Sequence, residues 1–115
     1  MNKKTKKKLK IFTKANIIKY LLKRKNWILK EEYSQVTHDI GLRFKYKNGF
    51  ELSIVAGKYL YSSPRENALE YSLVEMAILD ENGKFVRMNK KQSDDVLGYQ
   101  NWTEFEKVVK WVEVK

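Results

Sequence analysis

The chain has no cysteine, one histidine, one proline and only five glycines in 115 residues. The missing cysteine removes disulfides, thiolate zinc sites and cysteine nucleophiles together, and fits a reducing cytoplasm. His38 alone cannot form a His-x-x-x-His zinc pair, and in an expected turn it reads as a solvated side chain. No stretch approaches the roughly 20 apolar residues that cross a bilayer. The N-terminal lysines precede no apolar signal-peptide core of about 7 to 15 residues. There is also no Gly-x-Ser-x-Gly elbow, and no glycine-rich loop ends in Lys-Ser or Lys-Thr. These absences predict a protein that is neither secreted nor membrane-spanning, holds no metal or cofactor, and is not an enzyme.

Acid is missing locally as well. The first thirty residues carry twelve lysines and arginines and no aspartate or glutamate, whereas the whole chain holds 24 basic and 14 acidic residues for a net charge of +10. Residues 31–115 therefore hold 12 basic against 14 acidic residues and are close to neutral. Charge so segregated suggests a basic arm or helix for an anionic partner, joined to a neutral domain.

Residues 1–12 read as a flexible basic tail, because six lysines in the first ten residues repel one another too strongly for a compact fold. Residues 13–115 read as one domain, with 43% hydrophobic and 13% aromatic content, ample for a core. From Thr13, a suitable N-cap, Ala15, Ile17, Ile18, Leu21 and Leu22 fall on one arc at helical spacing. Asn16, Lys19, Tyr20 and Lys23 lie opposite. Lys23, Arg24 and Lys25 fall where the helix dipole favours cations. Residues 27–33 read as a strand, and Thr37 to Gly41 as a turn.

Two hairpins follow. Leu42, Phe44 and Tyr46 alternate with charged residues, as do Phe50, Leu52 and Ile54 beyond Asn48-Gly49. A two-residue loop would put the two apolar rows on opposite faces. A three-residue loop, Lys47-Asn48-Gly49, pairs Tyr46 with Phe50, Phe44 with Leu52 and Leu42 with Ile54 on one face, and places Gly49 at the left-handed position. By the same rule, strands over 71–80 and 84–88 join through Glu81-Asn82-Gly83, with Ile78 facing Val86 and Met76 facing Met88. Residues 57–67 form a long connection and 89–101 a second loop. Thr103 and Glu106 suggest a capping box for a last helix burying Phe105, Val108, Val109 and Val112, with Trp102 behind it. The fold class is α+β: an antiparallel sheet of two consecutive hairpins, four or five strands in all, flanked by a basic amphipathic helix and a C-terminal helix.

Chemistry-bearing residues are few. Asp94-Asp95 needs another carboxylate, such as Glu66 or Glu104, to bind a metal or work as an acid, and otherwise turns a loop. Ser62-Ser63-Pro64-Arg65 reads as turn chemistry. The basic segment has the stronger claim. If about six of its cations met phosphates of a duplex, log K would fall with log salt at a slope of about −5. Phe12, Tyr20 and Trp27 are the aromatics near those cations. An anionic membrane surface is the weaker fit, because the helix's apolar arc is needed on the sheet.

Asn48-Gly49-Phe50-Glu51-Leu52-Ser53-Ile54-Val55, then Glu75-Met76-Ala77-Ile78-Leu79-Asp80-Glu81-Asn82-Gly83, then Asp94-Asp95-Val96-Leu97-Gly98-Tyr99 resembles small tailed-phage and prophage accessory proteins of unassigned activity. The resemblance spans about 48–112 and leaves out the basic N-terminus. It implies a mobile-element origin and a binding role, inhibition of host defence nucleases in the manner of anti-CRISPR proteins being common among such proteins.

The resulting expectation is a non-enzymatic protein of the host bacterial cytoplasm that inhibits a defence nucleoprotein. Lys14, Lys19, Lys23, Arg24 and Lys25 would contact RNA, DNA or an acidic protein surface, and Tyr59, Tyr61 and Arg65 would form a protein-contact loop. A free-standing, non-specific nucleic-acid-binding protein is the alternative. A nucleotide-ligand sponge or cryptic enzyme around Arg65 and Asp94-Asp95 is the third reading.

Overall fold

The structure, a computed structural model, describes residues 11–24, 27–32, 39–57, 60–64, 70–92 and 94–115, with the backbone alone described for 29–32. The order is α1 (Lys14–Leu22), β1 (Trp27–Glu32), β2 (Ile40–Tyr46), β3 (Glu51–Ala56), β4 (Val74–Leu79), β5 (Phe85–Val86), β6 (Val96–Gln100) and α2 (Trp102–Glu113). The strands form one antiparallel sheet in the order β1-β2-β3-β4-β5, and β6 also pairs with β4. The fold is α+β with flanking helices, as expected.

Strand alternation sends one row of each strand inward. Leu42, Phe44 and Tyr46, then Leu52, Ile54 and Ala56, then Val74, Met76 and Ile78 are buried in one core with residues of both helices. Both helices thus cover the same face of the sheet. The β2–β3 hairpin takes the three-residue loop that its apolar rows require. Leu42 lies opposite Ile54 and Phe44 opposite Leu52, Tyr46 N–H donates to Phe50 O at 2.8 Å, and Gly49 has φ +94°. At the next turn Ile78 faces Val86, while Asp80 Oδ1 accepts from the N–H groups of Asn82 and Lys84 at 2.8 and 3.0 Å.

Several expectations need correction. Met76 faces Leu97 rather than Met88. After Val86 the chain turns away, with Met88 N–H donating to the Gln92 side chain and Asn89 Oδ1 accepting from Lys91 and Gln92. The short β5 leaves the rest of the β4 edge open, and residues 96–100, expected to be loop, fill it as β6. The capping box is Asn101 with Glu104, not Thr103 with Glu106. Asn101 Oδ1 accepts from Glu104 N–H and Glu104 Oε1 from Asn101 N–H, both at 2.8 Å. Trp102 therefore opens α2, and its ring joins the buried stripe. Strand β4 begins at Val74 rather than at Tyr71, which bridges to Phe12. Ile40 and Gly41 are strand rather than turn. Phe12, expected to end a flexible tail, is fully buried and exchanges two backbone hydrogen bonds with Tyr71. An apolar ring of that size loses about 3 kcal/mol of transfer free energy if left in water, enough to recruit this residue to the core. Residues 1–10 lie outside the described residues.

Candidate nucleic-acid interface

Helix α1 is short, so its ends decide how firmly it is held. Thr13 Oγ1 accepts from Asn16 N–H at 3.0 Å, closing the first turn, and Asn16 Nδ2 donates to Ile11 O. At the other end the Trp27 indole Nε1–H donates to Leu21 O at 2.6 Å, a last-turn carbonyl that also accepts from Arg24 N–H at 2.9 Å. Ile17 and Leu21 are fully buried. The helix is rotated from the expected arc: Ala15 is exposed and Leu22 is 63% exposed, while Tyr20 turns inward. The reason is a ring cluster. Tyr20 meets Trp102 and Phe105 with centroids 5.7 and 5.2 Å apart, and Phe12 completes the group against Trp102 and Phe105. Burying aromatic area outweighs burying Ala15 and Leu22.

Among the cations, Lys14, Lys19 and Lys23 are exposed along α1. Arg24 is differently placed. Its Nε and Nη2 donate to the two Glu113 carboxylate oxygens at 2.5 and 2.7 Å, and its guanidinium lies 5.5 Å from the centre of the Tyr20 ring. The Glu113 hydrogen bonds raise the Arg24 pKa further above its already high value, so the guanidinium stays protonated. Arg24 therefore fastens the end of α1 to the end of α2, and its charge is matched within the protein. Lys25 lies outside the described residues.

Beside the exposed lysines the surface dips into a recess of about 270 Å³ lined by Asn16, Lys19, Tyr20, Lys23 and Trp102. Its aromatic wall is the outer edge of the ring cluster. Trp102 is only 8% exposed and its Nε1–H donates to Glu106 Oε2 at 2.8 Å. Burial raises the Tyr20 hydroxyl above its usual range, so this wall is neutral at pH 7. Sequence reasoning placed Lys19 and Lys23 here but missed Trp102, which is distant in the chain. Its one sequence signal is the apolar run Trp102, Phe105, Val108/Val109 and Val112 at helical spacing.

Tyr61, the one described residue of the expected protein-contact loop, is not part of this surface. Tyr61, 50% exposed, lies on the sheet face away from the helices, its N–H donating to Glu75 Oε1 and its carbonyl accepting from Tyr99 N–H. Its ring sits 5.8 Å from that of Tyr99, and a Cβ on Gly98 would approach Tyr61 Cβ to 2.8 Å, so glycine makes room for this packing. Tyr59 and Arg65 lie outside the described residues. A shallow groove nearby includes Val55, Leu60, Ala77, Phe85 and Val96.

The other candidates are occupied by structural roles. Asp95 Oδ1 pairs with Arg87 at 3.2 Å, and Asp94 Oδ1 accepts from Asp95 N–H. Glu104 is held in the capping box, while Glu66 and His38 lie outside the described residues. Ser62 is buried, its Oγ accepting from Gly57 N–H and donating to Gly57 O. Among the described residues no group of three or more His, Cys, Asp or Glu side chains is arranged to hold a metal. No helix there is long and apolar enough to cross a membrane. Comparison of the chain with protein-family models, with curated proteins and with solved structures gives no match.

Proposed function

We propose that this chain is a non-enzymatic, mobile-element-encoded binding protein that attaches through the basic face of α1 to the RNA or DNA of a host defence nucleoprotein, of the CRISPR-effector kind, and blocks it in the bacterial cytoplasm. The supporting observation is the exposure of Lys19 and Lys23 on a helix whose opposite side is locked into the core. A fixed row of cations presents charge without the entropy cost of ordering a loop, and the basic residues 1–10 add to it in sequence. The defence-nucleoprotein target rests on the resemblance of residues 48–112 to phage accessory proteins. The sheet face bearing Tyr61 would supply protein contacts.

The second reading is a free-standing nucleic-acid-binding protein, favoured by the same lysines without any role for the sheet face. The sponge or enzyme reading draws less support, since Asp94 and Asp95 are engaged in turn and ion-pair contacts. A pull-down from host lysate, with and without nuclease treatment, separates these readings. Capture of a defence complex that survives nuclease, together with inhibition of that complex, is the expected result. Loss of all partners after nuclease points to the free-standing binder, and no capture with or without nuclease contradicts both.

A further inference from the structure

The recess beside α1 differs from a plain basic patch because its wall is aromatic and neutral. Two features decide what it can hold. Glu106 accepts the Trp102 indole N–H and acts electrostatically on the Tyr20 hydroxyl, so a carboxylate lies close to the aromatic wall and disfavours an anion seated against it. Lys19 and Lys23 line the same recess and favour an anion there. A neutral ring carrying a phosphate satisfies both conditions, whereas inorganic phosphate satisfies one.

Size agrees with one ring system. The recess, at about 270 Å³, falls just below the roughly 300 to 1,000 Å³ of whole-cofactor and drug sites. Tyr20 and Trp102 meet edge to face, at 81°, so a base lying flat on one presents its rim to the other. Tyr20 is itself braced by Arg24, which lies over its ring and is held by Glu113. Asn16 adds a polar group: one Nδ2 hydrogen goes to Ile11 O, which leaves the second Nδ2 hydrogen and Oδ1 for a base edge.

We propose that this recess takes one unpaired nucleobase, packed against its Tyr20–Trp102 wall, with Lys19 and Lys23 on the adjoining phosphates. Single-stranded RNA or DNA is then the ligand of α1 in preference to duplex, whose bases are stacked and out of reach. The inference rests on the reading of α1 as a nucleic-acid-binding element and adds the class of nucleic acid that it selects.

The test measures binding of the full chain to three labelled probes of equal length: an oligothymidylate, an abasic strand of the same charge, and a duplex. The oligothymidylate should bind about tenfold more tightly than the abasic strand, as expected for one stacked base. Tyr20→Leu, which keeps an apolar side chain in the ring cluster, should reduce that ratio to near one without weakening the abasic strand. If that variant does not fold, quenching of wild-type tryptophan fluorescence by the oligothymidylate but not by the abasic strand gives the same discrimination. Equal affinity for oligothymidylate and abasic strand would overturn the base-binding recess and leave the basic-helix reading intact. Binding to none of the three probes overturns both.

Discussion

Single side chains settle how rigidly the basic face is presented. Arg24 combines a two-pronged carboxylate pair with an aromatic contact, and only a planar guanidinium makes both. Arg24→Ala should lower stability by about 1 to 2 kcal/mol, a charged hydrogen bond's usual contribution reduced because the arginine is partly solvated. Denaturant titration checks this, and Arg24→Lys should restore less than half of the loss. Tyr46 behaves in the opposite sense. Its hydroxyl is buried with no hydrogen-bond partner among the described residues, and burial, with Glu113 nearby, pushes its pKa well above the ordinary value. Tyr46→Phe should therefore leave stability unchanged or raise it by up to about 1 kcal/mol, because no bond is lost and a desolvated hydroxyl is removed. A drop of 2 kcal/mol in the same titration would show that the hydroxyl has a partner.

At the scale of elements, each helix receives a side-chain hydrogen bond at its C-terminal end, from β1 in one case and from the β2–β3 loop in the other. Trp27 caps Leu21 O on α1, and Asn48 Nδ2 donates to Val112 O on α2 at 2.8 Å. Asn48 also accepts from Phe50 N–H, so one residue shapes the hairpin and anchors the helix. Asn48→Ala should cost about 1 to 2 kcal/mol, which for a domain of this size lowers Tm by several degrees in a thermal melt. The parts legible in the sequence were those fixed by local rules. Facing apolar rows admit only one loop length at Lys47-Asn48-Gly49, and Thr13 precedes a helical pattern. What escaped was decided by distant partners. Residues 96–100 pair with the part of the β4 edge that β5 leaves open beyond Val86, where Met88 N–H donates to the Gln92 side chain rather than to the sheet. The rotation of α1 that turns Tyr20 inward follows from Trp102, Phe105 and Phe12, none of them neighbours of Tyr20 in the chain. The lysines of the candidate site could thus be named from their pattern, while the aromatic recess beside them depended on packing between distant segments.

For the molecule as a whole, charge and fold are arranged separately. The core joins both helices to one sheet face, and the residues from 31 onward are close to neutral. The cations of α1 therefore act against little opposing long-range field, and their effect should be strongly salt-dependent. On the proposed function, Lys19 and Lys23 contact nucleic-acid phosphates. The affinity of the full chain for a single-stranded oligonucleotide, measured over a range of salt concentrations beside a Lys19→Gln/Lys23→Gln variant, decides this. The variant should bind more weakly, with a log–log salt slope shallower by about 1.4, the contribution of two phosphates on a single strand. An unchanged affinity and slope would contradict it.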